Sequence, residues 1–405
     1  MTDFPSDLRE SNAFLNLLLD SIDTAVLVVD ENLVIHQINT SFRRLYHVEG
    51  QAAVEKSFGR ISGCVNSVRE NKPCGATSQC GGCSLRQAIH QTMAKHLPVE
   101  RLWLERIFFI DGGAVAKYLE FSTRPLRFKD RAMTLVTIHD VTQLERQRIE
   151  LERKQAKLDE DLKIAAAIQK SMLPEAAIAN DFFETCWRYE ACEQVGGDIF
   201  NVNCISGDQV SFYMVDACGH GPSAALVSVA VSQYLQSHHG MPVCPQRAES
   251  PAEMLNRLQH VFTPERLDGG FFSIGYLSLN LLDQRLTYVN AGLPPPVVIH
   301  ADGGLDILDH RHPAVGLNTD VPYTDRSIPL RVGDKILLYT DGLLENRNPA
   351  EKMFGKNRMY AVLQGLGDLG VEAVVNGLWA ENKRFRGLAQ SDDDTSLLGI
   401  GLRRL

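Results

Sequence analysis

The first third of the chain alternates short apolar strand patterns with helical ones. Two apolar runs flank the polar pair Glu31 and Asn32, which predicts a β-hairpin. A helical stretch, a loop with four cysteines and a second helix near 85–96 follow, and then three longer strand patterns. The five predicted strands lie at 25–30, 33–39, 99–110, 116–128 and 132–142. This order predicts an antiparallel sheet with helices inserted after its second strand.

The pattern changes at residues 143–173, which contain no Gly or Pro and are rich in Glu, Lys, Arg and Gln. Apolar residues recur at strict seven-residue intervals, at Leu144, Leu151, Leu158, Ala165 and Met172. A heptad seam of this kind predicts a parallel dimeric coiled coil, and Pro174 ends the helix. The alternative is a single surface helix that packs on its own domain.

Strand patterns dominate residues 174–405, with helices predicted at 223–238, near 251–262 and at 371–386. Strands with interspersed helices in this order favour an α+β sandwich over a regular wound sheet. We therefore expect an α+β protein with three segments: a domain at 1–142, a helical linker at 143–173 and a larger domain at 174–405.

Composition excludes some classes of partner. The 405 residues carry a net charge of −9, which argues against electrostatic binding of nucleic acid or an anionic membrane. No apolar run approaches the roughly 18 residues of a membrane helix, and the acidic start lacks a signal-peptide pattern. We expect a cytoplasmic protein, whose nine cysteines are thiols or metal ligands and do not form a disulfide framework.

Four aspartates stand beside glycines or in acidic turns at predicted strand ends. They are Asp198 in VGGD, Asp216 in VDACGHG, Asp341 in YTDG and Asp392, which opens DDDT. Mg²⁺ and Mn²⁺ prefer oxygen ligands, and carboxylates that converge repel one another unless a cation neutralises them. The pattern predicts a divalent-cation site, although each residue taken alone is more often an ordinary turn aspartate.

The motifs containing these residues resemble those of the SpoIIE/RsbU branch of the PPM (PP2C-like) phosphatases. The resemblance covers essentially all of residues 174–405 and starts in the preceding helix. It rests on six segments in the family's order: AAAIQKSMLPE, VGGDIF, VDACGHGPSAAL, YVNAGLPPPVVI, DKILLYTDGLLENRNPAEKMFG and DDDTSLL.

This resemblance implies an αββα sandwich with two Mn²⁺ or Mg²⁺ ions that hydrolyses a phosphoserine or phosphothreonine. It implies Asp198, Asp216 and the Ala217 carbonyl as ligands of the first pair of ions. Asp341 and Asp392 would complete the second site, with Asp393 as the next choice. Asn201 departs from the family where a second Asp is common, and Leu293 departs where the family has His.

The first domain resembles a PAS sensor in its element order and in the closing triplet Asp140-Val141-Thr142. Its loop holds Cys64, Cys74, Cys80 and Cys83 within twenty residues, and only the last pair has C-x-x-C spacing. The four thiols could bind Zn²⁺, hold an iron–sulfur cluster or form a reversible disulfide, or they could be unrelated.

Together these features predict a sensor-regulated phosphatase, active as a homodimer through the linker. The family resemblance implies a phosphorylated partner protein as substrate, in particular an anti-sigma-factor antagonist. The alternative function is a catalytically inactive module that sequesters such a partner, which the departure at Asn201 keeps open.

Overall fold

A computed structural model describes residues 17–48, 55–128, 131–174, 177–206, 208–238, 249–317 and 321–403. The chain divides into two compact units, Met1–Ala156 and Lys157–Leu405.

The N-terminal unit is built on one antiparallel sheet of five strands in the order β2-β1-β5-β4-β3. Its apolar face is covered by short helices, and Phe42, Phe108 and Phe121 are fully buried there. The predicted hairpin and the three later strands are all present. The bounds are β1 Ala25–Val29, β2 Ile35–Ile38, α1 Thr40–Tyr46, α2 Phe58–Ile61, α3 Val65–Glu70, a 3₁₀ turn Cys80–Gly82, α4 Ser84–Lys95, β3 Val99–Ile110, β4 Gly113–Phe128 and β5 Arg131–Asp140.

The triplet at 140–142 forms the junction between the sheet and the next helix. The Asp140 carboxylate accepts hydrogen bonds from the Thr142 backbone N–H at 3.0 Å and from Lys117 Nζ at 2.6 Å. Thr142 Oγ1 accepts from the Tyr118 N–H at 2.9 Å. These bonds satisfy polar groups where β5 stops, so the helix starts at a fixed point of the sheet.

Helix α5 runs without interruption over Thr142–Met172. Its heptad leucines face solvent, with Leu144 64%, Leu151 68% and Leu158 52% exposed. Nothing in the described chain covers this apolar stripe, so the predicted coiled coil stays a prediction.

Among the described residues, no helix has both the length and the apolar character needed to cross a membrane.

The C-terminal unit contains two mainly antiparallel sheets and five helices among the described residues. One sheet has the order β13-β10-β9-β8-β7, with β14 beside β10, and the other has the order β12-β11-β15-β16-β6. The bounds are β6 Phe183–Glu190, β7 Asp198–Ser206, β8 Gln209–Ala217, α6 Pro222–His238, α7 Pro251–Val261, β9 Phe272–Asn280, β10 Arg285–Ala291, β11 Val297–Ile299, β12 Leu305–Ile307, β13 Arg311–His312, β14 Arg326–Pro329, β15 Lys335–Tyr339, α8 Asp341–Glu345, α9 Gly355–Leu366, α10 Val371–Arg386 and β16 Thr395–Leu402.

The two sheets share one core, in which Phe212 and Leu277 of one sheet meet Ile336 and Leu398 of the other. Helices α6 and α7 add side chains to this core, while α9 and α10 pack on the other face of the second sheet. This is the predicted α+β sandwich with helical outer layers. Because both faces of the sheets are covered, β8, β9, β15 and β16 are almost continuously buried.

Candidate metal centre

Asp198 and Asp216 occupy paired positions on neighbouring antiparallel strands. Asp198 opens β7 and Asp216 lies next to the end of β8, and the strand register sets the two directly opposite each other. Side chains at opposite positions of such a pair point to the same face of the sheet. The register therefore brings together the carboxylates of two consecutive motifs.

Two hydroxyls of the second sheet hold the Asp198 carboxylate. Thr340 Oγ1 donates to Asp198 Oδ2 at 2.8 Å, and Ser396 Oγ donates to the same oxygen at 2.6 Å. Asp198 is 1% exposed, so this carboxylate is fully buried. Neither Thr340 nor Ser396 was selected from the sequence. Both lie in segments that contain predicted ligands, Thr340 in YTDG and Ser396 in DDDTSLL.

Asp341 and Asp393 approach the pair from the second sheet's side. Asp341 opens α8, directly after Thr340, and its negative charge acts on both Asp216 and Asp393. The loop that carries Asp393 is held by Asn346, whose Oδ1 accepts from Ser391 Oγ at 2.8 Å.

Crowding of these carboxylates changes their acidity. Burial, followed by the charges of Asp341, Asp393 and Asp394, raises the pKa of Asp216 to about 8. Burial and neighbouring carboxylates raise the pKa of Asp393 to about 6 and place that of Asp198 well above its ordinary value. No ion pair in the described part of the chain involves Asp198, Asp216, Asp341 or Asp393. The site therefore concentrates negative charge that a divalent cation would neutralise.

Asp392 lies outside this group. Its side chain is 79% exposed, and its nearest cationic partner is Arg347, with 4.0 Å between Arg347 Nε and Asp392 Oδ2. The family pattern D-D-x-T-L-L also fits when it begins at Asp393, because Ser396 then takes the hydroxyl position and Leu397-Leu398 the apolar pair. The structure thus favours Asp393 over Asp392 as the carboxylate of this loop that faces the cluster.

Asp394 was not selected from the sequence, yet it organises the loop before β7. It is 2% exposed, and its carboxylate accepts from the backbone N–H groups of Cys192, at 2.8 Å, and Gly197. A side chain at Gly196 would lie 2.5 Å from Asp394 Oδ2, and one at Gly197 would lie 2.9 Å from the Ala217 carbonyl oxygen. The two glycines of VGGD are therefore required by close backbone approach.

Cys192 is a further residue at the site that was not selected from the sequence. One ligand atom each of Cys192, Asp393 and Asp394 lies within 4.8 Å of the others. Burial and then Asp394 raise the pKa of the Cys192 thiol to about 12. The Cys192 thiol hydrogen-bonds to the Asp394 carboxylate, so we assign Cys192 as a hydrogen-bond partner of the cluster.

The C-terminal end of α5 contacts this site through Gln169. Its amide donates to the Gly196 carbonyl at 2.5 Å and accepts from the Gly196 N–H at 3.2 Å. Asn201, the departure from the family pattern, donates to the Met172 carbonyl at 3.1 Å. Asn201 thus satisfies an open carbonyl at the helix end. The other departure, Leu293, is a core residue that is 1% exposed.

The four cysteines of the N-terminal loop do not form a similar cluster of ligand atoms among the described residues. Cys64, Cys74, Cys80 and Cys83 are all free thiols. Within the described residues, they do not form a group of three or more ligand atoms close enough to share an ion. The zinc or iron–sulfur site considered for this loop is therefore not supported.

Comparison with known proteins assigns the larger unit. The model of the family "Stage II sporulation protein E (SpoIIE)" matches residues 206–403. This region is a SpoIIE-type PP2C domain. The match includes Asp216, Asp341 and Asp393, while Asp198 lies just before it.

Curated relatives and a solved structure agree with this assignment. The phosphoserine phosphatases RsbP and RsbU of Bacillus subtilis (strain 168) are 27% identical over 185 residues and 22% identical over 194 residues. The matches cover 46% and 48% of this chain and 45% and 56% of those proteins, so the chain matches about half of their length. The SiaA-PP2C domain of Pseudomonas aeruginosa shares the fold, with a TM-score of 0.53, 20% identity and coverage of 62% of this chain and 99% of that domain.

Proposed function

We propose that the protein is a metal-dependent serine/threonine phosphatase that removes phosphate from a partner protein. The observation that carries this proposal is the meeting of Asp198, Asp216, Asp341 and Asp393 without a cationic side chain. The printed names of RsbP and RsbU, both phosphoserine phosphatases, support the same activity. Asp392 is the less favoured ligand in this proposal.

The residues present fit two Mn²⁺ or Mg²⁺ ions, because the donor set consists of carboxylate oxygens with a backbone carbonyl at Ala217. When bound, such ions activate water for attack on phosphorus and neutralise the phosphate oxygens. Thr340 and Ser396 fix one oxygen of Asp198 and leave the other free. The Asp394 carboxylate holds the loop before Asp198 through the N–H groups of Cys192 and Gly197. No protein nucleophile is needed in this scheme.

Hydrolysis of a phosphoserine peptide by the full chain tests this proposal. We expect Mn²⁺-dependent release of phosphate, which Asp216→Asn reduces at least about a thousandfold because a carboxylate that would hold the ions is lost. Asp283→Asn, on an exposed turn, is the matched control and keeps wild-type activity. Wild-type protein that is inactive with both Mn²⁺ and Mg²⁺ would instead support the partner-sequestering alternative.

The family resemblance leads us to propose an anti-sigma-factor antagonist as the substrate and a PAS-like sensor as the regulator. The element order of the N-terminal unit supports the second proposal, as do the bonds of Asp140 at its last strand. We propose a homodimer through α5, because three heptad leucines of this helix are more than half exposed. The predicted cytoplasmic location is part of the same proposal.

The proposed route of control ends at Gln169, which bonds both backbone groups of Gly196, two residues before Asp198. A shift of α5 would move this loop and change the metal site. Leu158→Pro breaks the seam and should alter the phosphatase rate, whereas Ala156→Ser, outside the seam, should not. Equal rates in all three proteins would exclude control through the helix.

A further inference from the structure

The cysteine loop of the N-terminal unit is not used by the proposed phosphatase chemistry. Cys64 precedes α3, Cys80 opens the 3₁₀ turn, and Cys83 ends that turn as the residue before α4. Because the sulfur atoms do not gather around a common point, their individual surroundings decide what each thiol can do.

Cys80 has the surroundings of a reactive thiol. Its Sγ accepts a hydrogen bond from the Gly75 N–H at 3.1 Å and lies 2.8 Å from Thr77 Oγ1. Burial acts to raise its pKa, but the Thr77 and Gly75 bonds and the Arg86 charge outweigh burial, and the pKa falls below 9.0. A thiolate held by two donors and a guanidinium is the nucleophilic form of cysteine.

Cys83 is placed to react with Cys80. The Cys83 N–H donates to the Cys80 carbonyl at 3.3 Å, which closes a single turn. Residues at the two ends of such a turn have Cα atoms roughly 5–6 Å apart, within the range that a disulfide spans. Gln87 Nε2 donates to the Gly81 carbonyl at 2.8 Å and holds the turn in place.

The Cys80 side chain is 8% exposed, whereas the two residues that follow it face open space. Gly81 and Gly82 separate the two cysteines, and a Cβ added at either would meet no atom within 4 Å. Cys74 differs, because burial raises its pKa to about 11 and keeps it a thiol. The loop therefore contains an activated sulfur at Cys80, a neighbouring thiol at Cys83 and an unreactive thiol at Cys74.

We propose that Cys80 and Cys83 form a peroxide-sensing pair. The Cys80 thiolate attacks the O–O bond of a peroxide and becomes a sulfenic acid, and hydrogen peroxide is reduced to water. Cys83 sulfur then attacks the sulfenic sulfur, forms the Cys80–Cys83 disulfide and releases a second water. In total, two thiols are oxidised by two electrons and one peroxide is reduced, and a dithiol reductant reverses the change. The proposal does not depend on the phosphatase activity.

Hydrogen peroxide added to the reduced full chain tests the pair, with free thiols alkylated afterwards and disulfides mapped by mass spectrometry. We expect the Cys80–Cys83 bond to form first, and Cys80 to react at least about tenfold faster than Cys74, because burial raises the pKa of Cys74 to about 11. Cys83→Ser should stop the reaction at a Cys80 sulfenic acid that dimedone captures. Cys80→Ser should abolish both products, and Cys64→Ser is the matched control that keeps them.

Other products would overturn the proposal. A Cys74–Cys80 disulfide would exclude Cys83 as the partner. Oxidation of the exposed Cys218 while Cys80 remains reduced would exclude Cys80 as the reactive thiol. Zinc or iron bound by the purified wild-type chain, and lost in Cys80→Ser, would identify the loop as a metal site instead. Thermal melts of each variant establish that the comparison is made between folded proteins.

Discussion

Two groups of acidic side chains in the C-terminal unit have opposite electrostatic surroundings. Glu190, at the end of β6, accepts from Arg386 with both carboxylate oxygens at 3.0 Å and from Lys383 Nζ at 2.6 Å. Despite burial, these partners lower its pKa. In the metal centre, carboxylates face one another and the pKa of Asp216 rises to about 8.

The difference separates a structural carboxylate from a functional one. Glu190 has its neutralising charge within the chain, so its charged form stabilises the fold. Asp198, Asp216 and Asp393 lack such a partner, so their charged forms cost stability until a cation arrives. The protein therefore retains an electrostatic penalty at one end of the sandwich, which is typical of a binding site.

Removing one carboxylate of the metal centre should have the largest effect on activity and on stability. Asp198→Asn should reduce Mn²⁺-dependent phosphatase activity by about three orders of magnitude. It should also make the metal-free protein more stable, because one buried carboxylate no longer repels its neighbours. Activity assays and thermal melts with and without Mn²⁺ check both effects. A metal-free variant less stable than wild type would show that Asp198 is mainly structural.

The next largest effect should distinguish the two candidate loop residues. Asp393→Asn should lower activity about a hundredfold and weaken Mn²⁺ binding, because Asp393 faces the cluster. Asp392→Asn should change both quantities less than about threefold, since an exposed ion pair contributes little. Calorimetric titration with Mn²⁺ gives a readout that is independent of activity. The reverse ranking would restore Asp392 as the ligand.

Glu190→Gln should have the opposite effect on stability. Arg386, only 5% exposed, would lose a charged acceptor, and we expect a loss of about 2 kcal/mol in the free energy of unfolding at neutral pH. The folded pKa of Glu190 lies below 4.5, so this contribution is present above pH 4.5 and is lost as the pH falls through the folded value. Urea unfolding should show a smaller difference in the free energy of unfolding between wild type and Glu190→Gln at pH 3 than at pH 7.

Per pH unit, the pH dependence of the metal-free wild type is the smallest of these effects. The folded pKa of Asp216 exceeds its ordinary 3.8, so its contribution to stability is complete below pH 3.8 and is lost as the pH rises to about 8. We expect a decline of at most about 1.4 kcal/mol per pH unit from this group. Asp216→Asn should remove this part of the decline. An identical pH profile in both proteins would contradict the assigned repulsion.

Sequence alone determined the architecture at the level of segments and motifs. Strand alternation predicted the N-terminal sheet, and the absence of Gly and Pro predicted the helix that α5 forms. Motif order located Asp198, Asp216 and Asp341 because each lies at a strand end beside a short turn. These features are local, so nearby residues carry enough information to predict them.

Only the tertiary structure decided which neighbours face the site. In β16, successive side chains point to opposite faces, so Thr395 contacts Asn346 while Ser396 reaches Asp198. A shift of one residue exchanges these roles, and three consecutive aspartates conceal that shift in the sequence. The bonds of Gln169 and the separate surroundings of Cys80 and Cys74 likewise depend on segments that meet only after folding.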